Sequence, residues 1–318
     1  MDTTAANNYL QETLPAIVEN MPTLLEAAGS LEKAKEQLAS VEQDTVLWQG
    51  KKINLDVYPS DKDKPVVIFF TGIANYARFY YLFLALLSER GFNVVAVDRP
   101  GHGFSDGQRG DCTVEDMRDL MPLVIERVKE KFNDRIGLFG SSLGGITTFY
   151  LLPEIEGIKS AICHNWLYPG ESADESKWLL NIILKTLNHF VPKMTIPIRK
   201  LIDQKKVLEL SESKYLTEFY MNIKDDPLYC QGLSLRSVVS YFGGYKPENS
   251  YKDIDIPVLG LIPALEKVLP FETSMSWWKM AGLKEENIKI IPDAKHMIFH
   301  DKPLESLELV SDWFNKTL

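Results

Sequence analysis

Five residues, Gly140-Ser141-Ser142-Leu143-Gly144, carry the clearest chemical possibility in this chain of 318 residues. A serine hydroxyl becomes a useful nucleophile only when a base removes its proton in the transition state and donors stabilise the oxyanion that forms. The GxSxG spacing follows the apolar run Arg135–Gly140 and precedes the helical run Ile146–Leu152, the strand–turn–helix setting in which that spacing has chemical meaning. There the central Ser142 is the candidate nucleophile. The amide of Leu143, at the start of the helix, is placed to face developing negative charge. A Gly/Ser-rich turn without chemistry is the plain alternative.

The base must come from His102, His164, His189, His296 or His300. An elbow of this kind goes with the chain order serine, acid, histidine, and only His296 and His300 follow the last strand-like run, Asn287–Ile291. His296 is the candidate base. His300, just ahead of Asp301-Lys302-Pro303, reads as a solvated or capping residue on the approach to the final helix. The acid should follow the run Ile256–Ile262, where Glu266 is the sole acidic residue of Pro263–Pro270. An ordinary surface glutamate is the alternative, while Asp253 and Asp255 precede the strand and stand at the wrong end.

These residues need a scaffold that holds them together. Pro65–Thr71, Asn93–Asp98, Arg135–Gly140, Gly157–Cys163, Ile256–Ile262 and Asn287–Ile291 are short apolar runs, as expected of parallel strands buried on both faces. Amphipathic helical stretches separate them at residues 76–90 and 113–131, the second opened by Thr113 and Asp116 in capping-box spacing. Helices are also expected over residues 272–281 and from about Leu304. Thr45–Trp48 and Ile53–Tyr58 flank Gly50-Lys51 as a hairpin. This is βαβ alternation. It is interrupted by about ninety residues rich in helical patterns, including Leu179, Leu180, Ile183, Leu184, Leu187 and Val191, with Trp166, Tyr168 and Trp178 at its entry. The expected division is a helical extension over residues 1–43, an α/β core over 44–165 and 251–318, and a helical cap over 166–250. In the extension, Pro22 suits a first-turn position and Ser30 a cap, so two or three short helices packed on the body are expected.

Bulk properties exclude other classes. With 45% hydrophobic and 25% charged residues the composition is that of a soluble globular protein. A net charge of −9 argues against a sequence-independent hold on nucleic acid. Cys112, Cys163 and Cys230 have no CxxC spacing, so free buried thiols are expected rather than disulfides or zinc. No apolar stretch approaches ~18 residues, and Met1–Asn8 lacks the pattern of a secretion signal, so the expected compartment is the cytoplasm. Neither HExxH nor GxxxxGK occurs, and Gly101-His-Gly103 lacks dinucleotide spacing; no cofactor and no metal are expected.

The elbow Gly140–Gly145, together with Asp98-Arg-Pro-Gly-His-Gly-Phe-Ser105, resembles the α/β-hydrolase superfamily over about residues 45–318. Within it the chain is similar to monoglyceride lipase and lysophospholipase-like enzymes, which are related to serine aminopeptidases. The softer matches Asp226-Pro-Leu228 and Ser234-Leu-Arg236 resemble the end of the lid in those lipases. The resemblance implies an α/β-hydrolase fold and a Ser142–His296–Glu266 triad. It also places the second oxyanion donor at the amide of Ile73, after Thr71-Gly72, and makes His102 a structural residue of its loop. Two positions depart from the family pattern: Thr71 stands where histidine is usual, and Glu266 where aspartate is usual. The implied activity is hydrolysis of a carboxylic ester through an acyl-enzyme, on a small acyl substrate such as a monoacylglycerol or lysophospholipid. Thioesters, amides and peptides use the same machinery, and a non-catalytic binding protein could keep the fold. Oligomeric state is open.

Overall fold

The central apolar runs form strands with both faces covered, whereas the last, expected to be buried on both faces, lies at the sheet edge with Ile290 51% exposed. β1 (Glu42–Trp48), β2 (Lys51–Tyr58), β3 (Val66–Phe70), β4 (Asn93–Val97), β5 (Ile136–Ser141), β6 (Ser160–His164), β9 (Val258–Pro263) and β10 (Ile288–Ile291) make one eight-stranded sheet. Its order is β1-β2-β4-β3-β5-β6-β9-β10. The β1/β2 and β2/β4 pairs are antiparallel and the rest parallel. β3 to β6 are buried along their whole length. The computed structural model describes residues 3–169, 178–201 and 207–318.

One face of the sheet is covered by α4 (Tyr81–Glu89) and the final helix Pro303–Thr317, and the other by α5 (Val114–Lys131), α6 (Leu143–Leu151) and the helix Phe271–Met280. The expected capping box opens α5: Thr113 Oγ1 accepts from the Asp116 amide at 3.0 Å, and Asp116 Oδ2 accepts from the Thr113 amide at 3.0 Å. The extension forms α1 (Thr3–Glu19), α2 (Pro22–Ala28) and α3 (Leu31–Ala39). Pro22 lies in the first turn of α2, and Ser30 Oγ accepts from the Lys33 amide at 3.1 Å. Leu10, Leu14, Ile17, Met21, Leu24, Ala28 and Leu38 are buried in the same core as α4.

That packing corrects one expectation. The stretch over 76–90 is not a half-exposed helix: Ala77–Tyr80 is a 3₁₀ turn, and every residue of α4 from Tyr81 to Leu87 is buried. The reason is that α2 and α3 cover its outer side, and a helix buried all round carries no polar face.

Between β6 and β9 run α7 (Trp178–Phe190), the helices Lys214–Met221 and Leu235–Val239, and an antiparallel pair of β7 (Thr195–Pro197) with β8 (Gly232–Ser234). Trp166 stands at the entry to this insertion, two residues after β6. It is wholly buried, donates from Nε1 to the Ser274 carbonyl at 2.9 Å and packs on Trp278, deep in the sheet-side core. Along α7, Ile183, Leu187 and, just beyond, Val191 are 47%, 40% and 42% exposed, so they form no cap core. The side chains of Trp178, Leu179 and Leu180 lie outside the described residues. Cys112, Cys163 and Cys230 are free and buried. Among the described residues no helix is long and apolar enough to cross a membrane.

Candidate active site

The strand-to-helix turn after β5 forces Ser142 into φ 54°, ψ −117°, a left-handed conformation that a non-glycine residue holds only when its surroundings over-determine it. Here they do. The Ser142 amide donates to the His164 carbonyl at 2.9 Å, and α6 starts at once with the Ile146 amide on the Ser142 carbonyl at 3.0 Å. A Cβ on Gly144 would stand 2.2 Å from the Phe70 carbonyl oxygen, so the helix can approach β3 this closely only with glycine there. The turn leaves Ser142 partly exposed at the carboxyl ends of the strands.

His296 and Glu266 reach the same place from the loops after β10 and β9. His296 Nε2 lies 2.9 Å from Ser142 Oγ, and His296 Nδ1 lies 2.7 Å from Glu266 Oε2. Because a carboxylate only accepts, Nδ1 carries the proton and Nε2 is free to take the one on Ser142. The two side chains are 7% and 2% exposed. Burial by itself would raise the Glu266 carboxyl, but His296 beside it and the Val268 amide on Oε1 outweigh that and hold it at about 2. The longer side chain of glutamate is accommodated because both of its oxygens meet donors: the Val268 amide of its own loop on Oε1, and Asn165 Nδ2, from the end of β6, 3.0 Å from Oε2.

The candidate oxyanion side is residues 71–75. Thr71, in the place of the family's usual histidine, is fully buried and closes the turn by donating from Oγ1 to the Asn75 carbonyl at 3.2 Å. A Cβ on Gly72 would meet the Tyr80 hydroxyl at 2.9 Å and Ser142 Cβ at 3.5 Å, which shows how near this loop lies to Ser142. Among the described residues neither the Ile73 amide nor the Leu143 amide donates to another group of the chain, which leaves both N–H groups for a ligand.

Several residues at the site were not singled out from the sequence. His164 ends β6; its Nδ1 lies 3.3 Å from the Ser142 amide and 3.3 Å from Ser141 Oγ, and its ring centroid is 5.3 Å from that of His296. Burial, with His296 close by, pulls its pKa down to about 3, so it is neutral. The Gly72 amide donates to the Tyr80 hydroxyl at 3.3 Å, and that hydroxyl donates to Ser141 Oγ at 3.4 Å, tying the 71–75 loop to the elbow. His164-Asn165 stands at the carboxyl end of the strand beside the elbow strand, where sites on parallel sheets gather; that position was the available clue. His300 is corrected: it is 5% exposed, with Nε2 3.4 Å from the Phe79 carbonyl and its ring against Phe79 and Tyr80. His102 is buried in its own loop, Nδ1 3.0 Å from the Pro100 carbonyl.

The family model for serine aminopeptidase S33 matches residues 61–303. The chain belongs to that family. It is a serine hydrolase of the α/β-hydrolase type. Two Escherichia coli relatives, each described as an uncharacterized 31.7 kDa protein in the traX-finO intergenic region, are 25% identical over 291 residues, covering 86% of this chain and 99% of theirs. A monoacylglycerol lipase from Paleococcus ferrophilus superposes with a TM-score of 0.66 at 23% identity, over 83% of this chain and 98% of that one. A soluble variant of monoglyceride lipase from Saccharomyces cerevisiae, solved with a substrate analog, gives 0.70 at 20% identity, over 87% and 95%. At those identities the likeness establishes the shared fold.

Proposed function

We propose that this S33-family hydrolase cleaves a carboxylic ester through an acyl-enzyme on Ser142, with His296 as base, Glu266 as its orienting acid, and the amides of Ile73 and Leu143 as oxyanion donors. The observation that carries the reading is the unbroken run Ser142 Oγ–His296 Nε2 at 2.9 Å and His296 Nδ1–Glu266 Oε2 at 2.7 Å. Ser142 Oγ adds to the ester carbonyl carbon as its proton passes to His296 Nε2, and the carbonyl π pair becomes the oxyanion. The oxyanion collapses, the C–O bond to the alcohol breaks, and His296 returns the proton to the departing oxygen. Water then repeats the sequence on the acyl-enzyme and releases the acid. Throughout, ionised Glu266 stabilises the imidazolium without taking its proton.

We take the segment 166–250 to act as a cap over this site. Support for an apolar acyl group comes from the surroundings of the oxyanion loop, where Ile73 and Ala74 pack with Ile198, Phe219, Ile223 and Tyr229 of the insertion. Apolar walls supply burial energy and keep water from the reacting centre. The structural neighbours described as monoacylglycerol and monoglyceride lipases favour a glycerol monoester as the substrate class. The test is labelling by a fluorophosphonate probe followed by a panel of esters and thioesters of graded acyl length. Labelling of the wild type that Ser142→Ala abolishes, with a medium or long acyl optimum, is expected. A folded wild type that is not labelled overturns the reading.

A further inference from the structure

Arg99 is the second residue after β4 and is 1% exposed. Its Nη2 donates to the Gly72 carbonyl at 2.7 Å, while its Nε is buried with no partner. Arginine stays charged in proteins, and a buried guanidinium is ordinarily matched by a carboxylate. Among the described residues Arg99 forms no ion pair. Asp98, its neighbour in sequence, is occupied by the Ala77 and Phe104 amides and Asn54 Nδ2. Asp111 and Asp116 are both paired with Arg236. Five buried groups that feel its charge are themselves neutral: burial pushes up the Cys112 and Cys230 thiols and the Tyr80 and Tyr241 hydroxyls, and holds His102 well below its usual range.

The Gly72 carbonyl and the Ile73 amide belong to one peptide group. A cationic donor on the carbonyl oxygen draws electron density from the amide nitrogen and strengthens that N–H as a donor, and the low local dielectric enlarges the effect. The preceding Thr71–Gly72 peptide is anchored by its own donor, the Gly72 amide, on the Tyr80 hydroxyl at 3.3 Å, so the charge meets a dipole whose neighbour is already fixed and little reorganisation is needed during reaction. We infer that Arg99 is a positioning residue of the oxyanion hole: through the Gly72–Ile73 peptide its uncompensated charge polarises and aims the Ile73 N–H at the oxyanion. This rests on the ester-hydrolase reading, in which Ile73 supplies that donor.

The experiment compares wild type with Arg99→Lys, Arg99→Gln and Arg99→Met, using the ester selected by the panel above and an alkylboronic acid, which binds serine hydrolases as a tetrahedral anion. Gln keeps a donor without charge, Lys keeps charge without the planar fork, and Met keeps neither. Outright removal of an oxyanion donor costs ~100–1000-fold in kcat, so the indirect effect is expected at about 10–100-fold for Met. KM should change less than about threefold, Gln should fall nearly as far as Met, and Lys should be restored in part. The boronate Kd should weaken by the same factor as kcat/KM. Near-wild-type kcat in a folded Met or Gln variant overturns the inference, as does a kcat loss that leaves boronate affinity unchanged. Where Met fails to fold, the Gln and Lys pair decides by the same two readouts. Retained fluorophosphonate labelling of wild type keeps the ester-hydrolase reading intact in either case, and its absence would remove that reading instead.

Discussion

The carboxyl edge of the sheet and the outer face of the α7 helix are built on opposite terms. At the edge, the polar groups around Ser142, His296 and Glu266 are largely buried and matched to one another: Glu266 answers to His296, Asn165 and Val268, and the Ser142 amide to His164. On α7, apolar groups are exposed and unmatched, with Ile182 51%, Ile183 47%, Leu187 40% and Phe190 75% exposed. A buried network loses heavily when one member is removed, because the others stay desolvated. An exposed side chain has little to lose. Function and tolerance to change should therefore divide sharply between these two regions, and mutation can test the division.

The largest effects belong to the edge. Ser142→Ala or His296→Ala should lower kcat by ~10⁴-fold or more, equivalent to about 5.5 kcal/mol of barrier, with KM nearly unchanged. Glu266→Gln keeps the shape but cannot stabilise the imidazolium, and a loss of about 10³–10⁴-fold is expected in steady-state kinetics. Wild-type kcat in Glu266→Gln would take that residue out of the triad and erase much of the contrast. Packing beneath the edge comes next. Phe299 is 2% exposed and sets its ring 5.1 Å from that of His164 and 5.2 Å from that of Phe139. Phe299→Ala should cost about 3–5 kcal/mol in denaturant-measured stability, through lost burial and the cavity left behind.

Much of this edge was legible in the chain, for a physical reason. The elbow is local: five consecutive residues, a strand before and a helix after are enough to fix Ser142, and strand ends place Glu266 and His296 in the required order. What could not be read were interactions that depend on how distant elements approach. Arg99 looks like one member of a Gly-rich loop until β4 is set against β3 and its guanidinium falls on Gly72. His164 and Asn165 are unremarkable strand-end residues until β6 is seen to pair with β5. His300 read as solvated because Asp301-Lys302-Pro303 is polar, yet α2 lies over it, with Thr23 Oγ1 donating to its carbonyl at 3.1 Å. The burial of α4 was equally hidden, since it depends on an extension of the chain outside the matched family region.

His300 gives the edge a measurable acid sensitivity. Burial pulls its pKa from the usual 6.5 to about 4, so below pH ~6.5 the unfolded chain takes up a proton that the folded one resists. Its contribution to stability is complete above pH 6.5 and is lost as pH falls towards 4; His164, pulled to about 3, acts in the same direction over a window extending lower. Glu266, held at about 2 from its usual 4.5, adds to the loss only below pH 4.5. Tm measured from pH 7 to pH 4 should therefore fall in the wild type and fall less in His300→Phe. Parallel curves for the two proteins would mean that the His300 site admits its proton without cost.

The smallest effect is expected on α7, and it is the one that most sharpens the contrast. Phe190→Ser and Leu187→Ser replace exposed apolar groups with polar ones, so little burial is lost, and folding stability should change by no more than about 0.5 kcal/mol. With a short, water-soluble ester, kcat should stay within about twofold of wild type, because among the described residues no side chain of α7 hydrogen-bonds to Ser142, His296 or Glu266. The same substitutions on the long-acyl substrates of the graded panel provide the discriminating measurement. If KM for those substrates rises while the short ester is unaffected, the apolar face of α7 takes part in handling the acyl chain. If both substrates are unaffected, recognition is confined to the walls formed by Ile198, Phe219, Ile223 and Tyr229. A drop in Tm of several degrees in either variant would show that the face is covered in solution, and the two regions would then differ less than their exposure implies.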